Sequence, residues 1–217
     1  YYGRTSSGWH FASELKAFPG DLLTVDPGAL LRYLRYGYVP APQTIYKQIF
    51  KLPPGTFLDL RINCLEVAPR AFWSIPSLPG PAPAPTLEEL EETLLKAVRL
   101  RMVADVPVGA FLSGGVDSSL IVALMQSLSS RPVQTFCIGF SETDYDESPT
   151  AREVARQLGT QHTEWRLTPT EALSVVPDLP RIYDEPFADS SQIPTYWVSR
   201  LARQSVVVAL SGDGGDE

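Results

Sequence analysis

Strand-like and helical hydrophobic patterns alternate through the second half of the chain. Four segments have the length and pattern of strands: Val106–Leu112, Val133–Phe140, His162–Leu167 and Val206–Leu210. Val106–Leu112 and Val206–Leu210 are the most continuously apolar of them. Four others place apolar residues at helical spacing: Thr86–Met102, Val116–Leu128, Ser148–Leu158 and Ile193–Arg203. Buried strands that alternate with helices form parallel sheets covered on both faces. The pattern therefore predicts an α/β fold with a doubly wound parallel sheet.

Capping residues define the ends of two of the predicted helices. Asp26 suits the N-cap of a helix over Asp26–Tyr36, and Gly37 suits its C-terminal stop. Thr86 and Glu89 have the spacing of a capping box at the start of the next helix. These signals are local, so they predict helix boundaries as well as helix positions.

The first part of the chain has a mixed pattern that is separated from the second by a proline-rich segment. A strand is predicted at Trp9–Ala12, and a hairpin at Thr56–Leu60 and Cys64–Ala68, which together indicate α+β structure. Ile75–Thr86 alternates proline with small residues, which favours an extended spacer. The predicted division is 1–74, a linker over 75–86, and 87–217.

Composition narrows the classes of function. The chain has 217 residues, 44% of them hydrophobic, and a net charge of −7, which argues against binding along a nucleic-acid backbone. Its apolar runs are much shorter than the ~20 residues of a membrane helix. Cys64 and Cys137 are interpreted as reduced core residues of a cytoplasmic protein, and with His10 and His162 they do not have the spacing of a zinc site.

The sharpest chemical signal is the loop over Ser113–Ser119, which follows an apolar strand and opens a helix. Doubly wound sheets bind ligands at this end of their strands. Gly114 and Gly115 allow close backbone approach, and free N–H groups at a helix start suit an anion. Asp117 beside a phosphate site implies a bridging Mg²⁺. The alternative interpretation is a tight turn capped by a serine.

A second loop, Ser211–Glu217, follows the last strand and carries three glycines and three carboxylates. Asp213 and Asp216 suit a metal-bound, negatively charged ligand, and the alternative is a solvated acidic loop.

Two weaker signals leave structural alternatives open. Tyr183–Asp189 could end in a helix N-cap at Asp189 or Ser190, and Thr143–Ser148 could be a solvated loop.

Several motifs resemble one enzyme family. SGGVDSS resembles the pyrophosphate loop of the N-type ATP pyrophosphatases. The motifs FASELKAF, GYVPAPQTIYKQIFKLPPG, FCIGF, YDEPFADSSQIPTY and LSGDGGDE extend the resemblance to the glutamine-hydrolysing asparagine synthetases, in their bacterial AsnB-like branch. The resemblance implies an adenine nucleotide α-hydrolase-like synthetase domain. It implies that the preceding part is the end of an α+β N-terminal-nucleophile glutaminase domain.

The family resemblance also implies a reaction and a set of site residues. The implied cofactors are ATP and Mg²⁺, and the implied substrates are aspartate, glutamine or ammonia, and ATP. Asparagine forms through β-aspartyl-AMP, and a homodimer is the candidate assembly, with no nucleic-acid or membrane partner. The resemblance assigns ATP and AMP contacts to Leu112, Ser113, Gly114, Gly115, Asp117, Ser118, Ile138, Ser211 and Gly212. It assigns catalytic roles to Asp213 and Asp216, and metal contacts to Asp117 and Asp216.

Departures from the family pattern limit these expectations. The family glutaminase begins with a nucleophilic cysteine, whereas this chain begins with Tyr1 and resembles only the later part of that domain. Asp213 stands where the family often has Glu. The chain is therefore expected to be an internal fragment that is inactive alone. Three other functions stay open: amidation of another carboxylate, such as a sugar acid or a β-lactam precursor, a non-catalytic nucleotide-binding module, and a hydrolase using Ser113 or Ser118.

Overall fold

The computed structural model describes residues 1–5, 8–60, 67–75, 84–141 and 146–214. The chain forms two compact units. The first unit combines Tyr1–Pro81 with Val176–Asp189, and the second combines Ala82–Val175 with Ser190–Glu217. The first unit thus takes in a segment that lies far beyond the proline-rich region.

The first unit is built on a small antiparallel sheet. Its elements before residue 76 are β1 (Tyr2–Thr5), β2 (Gly8–Phe11), α1 (Pro27–Tyr36), β3 (Ile49–Phe50), β4 (Thr56–Phe57) and β5 (Arg70–Ala71). The strand order is β2-β1-β3, and β4 pairs separately with β5. The sequence pattern predicted β2 but not β1 or β3. Leu15, Phe18, Leu22 and Ile49 form the core of this part of the unit.

The caps of α1 agree with the prediction from sequence. The Asp26 carboxylate accepts a hydrogen bond from the Gly28 amide at 3.0 Å. Gly37 ends the helix with a φ of 77°, and its amide donates to the Tyr33 carbonyl at 2.8 Å. Because a positive φ suits glycine best, the stop is encoded at this one residue.

The predicted hairpin is only half right. β4 pairs with Arg70–Ala71, whereas the prediction placed its partner at Cys64–Ala68. Residues 61–66, including Cys64, lie outside the described ranges, and Val67 and Ala68 are not in a strand. The Phe72 and Trp73 amides donate to the Gly55 carbonyl, at 2.9 and 3.2 Å, and so help to fix the later register. Alternation of residue type shows a strand's faces but does not give its pairing partner.

The remaining elements follow the linker. They are α2 (Leu87–Arg101), β6 (Val108–Phe111), α3 (Val116–Leu128), β7 (Gln134–Phe140), α4 (Ser148–Leu158), β8 (Gln161–Leu167), α5 (Pro169–Ser174), α6 (Leu179–Tyr183), α7 (Gln192–Ala202) and β9 (Val208–Leu210). All but α6 belong to the second unit. The capping box of α2 is formed, with the Thr86 amide donating to Glu89 at 2.8 Å. The predictions did not include α5 or α6.

The second unit is a four-stranded parallel sheet in the order β8-β7-β6-β9. On one face Ala110, Leu112 and Cys137 pack with residues of α2, α3 and α4. On the other face Phe136 and Ile138 pack with residues of α7. Successive strand residues point to opposite faces, so both faces are covered by helices. This confirms the predicted α/β, doubly wound fold.

The strand order creates a switch point between β6 and β9. The chain passes from β6 to β7 to β8 in one direction, and then returns to place β9 on the other side of β6. Doubly wound sheets bind ligands beyond the carboxyl ends of the strands where the order reverses. The two Gly-rich loops identified in the sequence directly follow these two strands.

Two further structural points concern the described part of the chain. No helix in it combines the length and the apolar character needed to cross a bilayer.

Asp146, within the segment that could have been a solvated loop, has a side chain only 6% exposed. It accepts from the Phe140 and Ser148 amides and pairs with Arg166 at 2.9 Å, so the solvated interpretation is wrong for this residue. Residues 143–145 lie outside the described ranges.

Candidate functional site

Two serine hydroxyls brace the first loop from within. The Ser113 and Ser118 hydroxyl oxygens are 2.9 Å apart, within hydrogen-bond distance. The Ser118 hydroxyl donates to the Gly115 carbonyl at 3.2 Å, and the Ser113 amide donates back to Ser118 at 3.3 Å. These bonds close the loop on itself and leave its backbone in one defined conformation.

Gly114 brings the start of α4 against the same loop. Its φ is +89°, and a β-carbon there would lie 2.8 Å from the Ala151 amide nitrogen. The same β-carbon would be 2.9 Å from Cβ of Thr150. The position therefore needs glycine for its backbone angle and for the close contact with α4.

The helix that follows the loop begins without a side-chain cap. Gly115 is the N-cap of α3 and makes no side-chain hydrogen bond to the first turn. The Gly115 amide donates to the Ser113 hydroxyl at 3.2 Å, so a serine does brace the turn, as the structural alternative expects. Asp117 lies in that first turn and is half-buried. Free amides at a helix start carry partial positive charge, which is how proteins hold phosphate and other anions.

The second loop touches the first. A β-carbon on Gly212 would lie 2.7 Å from the Ser118 amide nitrogen and 3.1 Å from Cβ of Asp117. The Ser211 hydroxyl donates to the carboxylate of the exposed Asp213 at 3.1 Å. The structure thus brings the loops after β6 and β9 together at the switch point. Asp216 lies outside the described residues.

An apolar cavity opens beside the first loop. It has a volume of about 250 Å³ and brings together Leu112, Ser113 and Ile138, three of the predicted site residues. The sequence interpretation missed the other lining residues, which are Phe111, Phe136, Cys137, Phe140, Glu147, Pro194, Thr195 and Val198. Phe136 and Phe140 were part of the predicted strand, and Pro194 and Val198 are four residues apart at the start of α7. That helical spacing was the available signal for this wall.

Burial controls the chemistry of the thiol in this wall. Together with the weaker effect of the Glu164, Glu147 and Asp146 carboxylates, it raises the pKa of Cys137 to about 12. A thiol with so high a pKa is not a nucleophile near neutral pH. Cys137 therefore contributes shape and apolar surface to the cavity.

Neither histidine supports a serine hydrolase. The His162 Nδ1 atom lies 2.9 Å from the Thr135 hydroxyl, and the His10 Nε2 atom lies 3.0 Å from the Thr5 hydroxyl. Ser113 and Ser118 are bonded to each other and to backbone groups instead. A nucleophilic serine needs a base within hydrogen-bond reach.

The segment Tyr183–Asp189, which gave one of the weaker signals in the sequence, has a structural role. Asp184 and Glu185 lie in the first unit, where they bind backbone amides of Leu15 and Ile45. The predicted N-cap at Asp189 or Ser190 is wrong, because α7 is preceded by Ser191 as its N-cap. The Ser191 side chain makes no capping hydrogen bond to the first turn of α7.

Family comparison decides the class of protein. Residues 89–217, more than half of the chain, match the family model described as asparagine synthase. The chain belongs to the asparagine synthase family. Residues 1–73 match the model of a glutamine amidotransferase domain. Both Gly-rich loops and the apolar cavity lie within the range that matches the asparagine synthase family.

Individual relatives agree with this family. The chain is 38% identical to "Putative asparagine synthetase [glutamine-hydrolyzing] 2" from Methanocaldococcus jannaschii, over all of this chain and 43% of that protein. It is 32% identical to "Asparagine synthetase [glutamine-hydrolyzing] 1" from Bacillus subtilis, over all of this chain and 34% of that protein. The chain thus spans less than half the length of either relative.

One solved structure with some similarity is an NH₃-dependent NAD synthetase from Campylobacter jejuni. The TM-score is 0.42 at 13% sequence identity, over 58% of this chain and 56% of that one.

Proposed function

We propose that the full-length protein makes asparagine from aspartate, and that this chain supplies its ATP site. The contact of Gly212 with Asp117 and Ser118 carries the proposal, because it joins two Gly-rich loops at the switch point of a doubly wound sheet. Membership of the asparagine synthase family supports the choice of reaction. A cytoplasmic enzyme is expected from the interpretation of its cysteines as reduced.

The two parts of the site suit the two parts of ATP. The apolar cavity next to Leu112 and Ile138 suits an adenine ring, which needs apolar walls more than charge. The uncapped first turn of α3 suits the β- and γ-phosphates. Ser113 lines the cavity and belongs to the loop, so it lies where the two parts meet.

Asp117 offers the kind of ligand that a phosphate-bound Mg²⁺ takes from a protein, a single carboxylate. No cluster of three or more acidic, histidine or cysteine side chains in the described ranges could form a protein-only metal site. Mg²⁺ with ATP commonly uses one or two carboxylates and completes its shell with phosphates and water. Asp117 would hold the ion, with Asp216 as the second predicted ligand. The ion would offset the negative charge of the pyrophosphate leaving group.

The proposed reaction has two steps. A β-carboxylate oxygen of aspartate attacks the α-phosphorus of ATP, the bond to the β-phosphate oxygen breaks, and pyrophosphate leaves. Ammonia, released from glutamine in the full-length protein, then attacks the activated acyl carbon and expels AMP, losing a proton to give asparagine. Amides at the α3 start stabilise charge on the departing pyrophosphate. Asp213 follows Gly212, which touches the first loop, and we assign it the role in forming the acyl-adenylate that the family resemblance implies.

The test is aspartate-dependent exchange of labelled pyrophosphate into ATP by the full-length protein. Exchange is expected in the wild type and should fall at least about a hundredfold in Asp117→Asn. Asp105→Asn, at an exposed aspartate of the same unit, is the matched control and should keep wild-type exchange. ATP binding without exchange on aspartate would contradict asparagine synthesis and favour another carboxylate or a non-catalytic module.

A further inference from the structure

One ionised side chain stands in the wall of the apolar cavity beside the first loop. Among the described residues that line this cavity, Glu147 alone carries a charge, and most of the others are apolar. The Glu147 carboxylate is close enough to the Cys137 thiol, in the same wall, to help raise its pKa. A carboxylate gains nothing from contact with an apolar surface, so its place here points to the recognition of a polar group.

The backbone on both sides of Glu147 is held in place. The Asp146 carboxylate accepts hydrogen bonds from the Phe140 amide at 3.3 Å and from the Ser148 amide at 3.2 Å. It also pairs with Arg166 at 2.9 Å, and Ser148 is fully buried. The point from which the Glu147 side chain leaves the backbone is therefore well defined.

The Glu147 side chain, by contrast, is exposed and has no partner in the described part of the chain. Glu147 is the N-cap of α4 but makes no capping bond with its side chain. Two other acids near this helix are paired with arginines, Glu153 with Arg156 at 2.6 Å and Glu164 with Arg152 at 2.8 Å. Glu147 thus differs from its acidic neighbours in being available to a ligand.

Glu147 lies at the junction of the cavity and the first loop. Its carbonyl accepts a hydrogen bond from the Ala151 amide at 3.0 Å. The same Ala151 nitrogen would lie 2.8 Å from a β-carbon on Gly114, which belongs to the loop. ATP that places its base in the cavity and its phosphates at the loop therefore has its ribose at this junction.

The chemistry of a carboxylate also favours the ribose over the other parts of ATP. An ionised glutamate accepts hydrogen bonds and donates none, so its partner must be a donor. The phosphates are negatively charged acceptors, and the 6-amino group lies at the end of adenine away from the sugar. The ribose 2′-hydroxyl is a donor at the junction, and some doubly wound nucleotide-binding sheets hold this hydroxyl with an acidic residue.

We propose that Glu147 is a specificity-determining residue, whose carboxylate accepts a hydrogen bond from the 2′-hydroxyl of the nucleotide and so selects ATP over dATP. The proposal rests on the proposed function in one respect, that ATP occupies the cavity and the first loop. It assigns the ribose a partner outside the two Gly-rich loops. In dATP the missing hydroxyl leaves the carboxylate without this donor.

The first arm of the test compares the two nucleotides on the unaltered full-length protein. Titration calorimetry without aspartate gives the Kd of Mg-ATP and of Mg-dATP, and so measures binding apart from catalysis. A hydrogen bond to a charged group is among the stronger kinds, so ATP should bind about ten- to a hundredfold more tightly than dATP.

The second arm repeats both titrations with Glu147→Ala and Glu147→Gln in the full-length protein. Glu147→Ala should bring the affinity for ATP down to that for dATP, while the affinity for dATP should not fall. Glu147→Gln keeps a neutral acceptor and should give an intermediate ratio. Glu92→Ala, at an exposed acid on α2 of the same unit, is the matched control and should keep the wild-type ratio.

Inosine triphosphate separates the ribose from the base, because it carries a carbonyl oxygen in place of the 6-amino group of ATP. The ratio of its affinity to that of ATP should be the same in the wild type and in Glu147→Ala. A ratio that changes in the variant, with an unchanged preference for ATP over dATP, would assign the carboxylate to the base and overturn the proposal.

The remaining outcomes distinguish this proposal from the proposed function. Equal binding of ATP and dATP by the wild type would overturn the role of Glu147 and leave the proposed function intact. An equal loss of affinity for both nucleotides in Glu147→Ala would show that the start of α4 had moved, which also overturns that role. Absence of ATP binding in the wild-type protein would overturn both proposals.

Discussion

Gly212 approaches Ser118 so closely that a β-carbon on Gly212 would lie 2.7 Å from the Ser118 amide nitrogen. Gly212→Ala must therefore push the second loop away from the start of α3. We expect Mg-ATP affinity to fall at least about tenfold, which corresponds to ~1.4 kcal/mol. Titration calorimetry on the full-length protein measures the change.

A matched substitution tests whether alanine alone has this effect. Gly20 has open space around its α-carbon and no positive φ, so Gly20→Ala should bind Mg-ATP like the wild type. Unchanged affinity in Gly212→Ala would show that contact between the two loops is not needed for the site.

Gly114 and Gly159 share a positive φ but differ in their surroundings. Gly114→Ala meets the α4 backbone at 2.8 Å, whereas Gly159→Ala meets nothing within 4 Å. Backbone strain should cost each variant about 1–2 kcal/mol, and overpacking should add about 1–3 kcal/mol to Gly114→Ala alone. Thermal unfolding of both variants checks this order, and equal losses would mean that α4 moves away without cost.

The Cys137 thiol should resist labelling in the folded protein. Burial, followed by nearby carboxylates, raises its pKa to about 12. At pH 8 the thiolate population is then roughly a thousandfold smaller than for a cysteine with a pKa of ~8.5. Alkylation followed by mass spectrometry of the Cys137 peptide should show little product until denaturant is added. Rapid labelling of native protein would contradict the buried environment.

His162 should make the protein less stable as the pH falls. Burial lowers the pKa of His162 in the folded state, although Glu164 opposes the shift. The unfolded chain therefore binds a proton first, and stability falls as the pH decreases from about 7 through 6.5, the ordinary pKa of histidine, until folded protein also protonates.

The measurement is the pH dependence of the unfolding free energy between about pH 7 and 5. His162→Gln should reduce its slope by up to about 1.4 kcal/mol per pH unit, the value for one proton. Equal slopes in the wild type and the variant would show that His162 titrates alike in both states.

Local signals explain most of what the sequence predicted. Asp26 with Gly37, and Thr86 with Glu89, define helix ends through hydrogen bonds within a few residues. The apolar strands indicated the parallel sheet because only strands covered on both faces lack polar positions. The two loops were found because each joins glycines to carboxylates directly after an apolar strand, where doubly wound sheets bind their ligands.

The features that the sequence did not predict are contacts between residues far apart along the chain. The hydrogen bond from Leu15 to Asp184 joins residues 169 positions apart, and that from Ile45 to Glu185 spans 140. Nothing in the local pattern of either segment reveals such a pairing. Pro194 and Val198 could be placed on a helix from sequence, but their approach to Ile138 follows from how α7 crosses the sheet.

The segment that carries Asp184 and Glu185 imposes an order on biosynthesis. A ribosome that has made Leu15 must add 169 more residues before its hydrogen-bond partner Asp184 exists. At about 5–20 residues per second, that delay is roughly ten to thirty seconds. Throughout this interval the nascent first unit lacks the carboxylates of Asp184 and Glu185, which pair with Lys16 and Lys51. Its final form waits until most of the sheet-forming sequence has been translated.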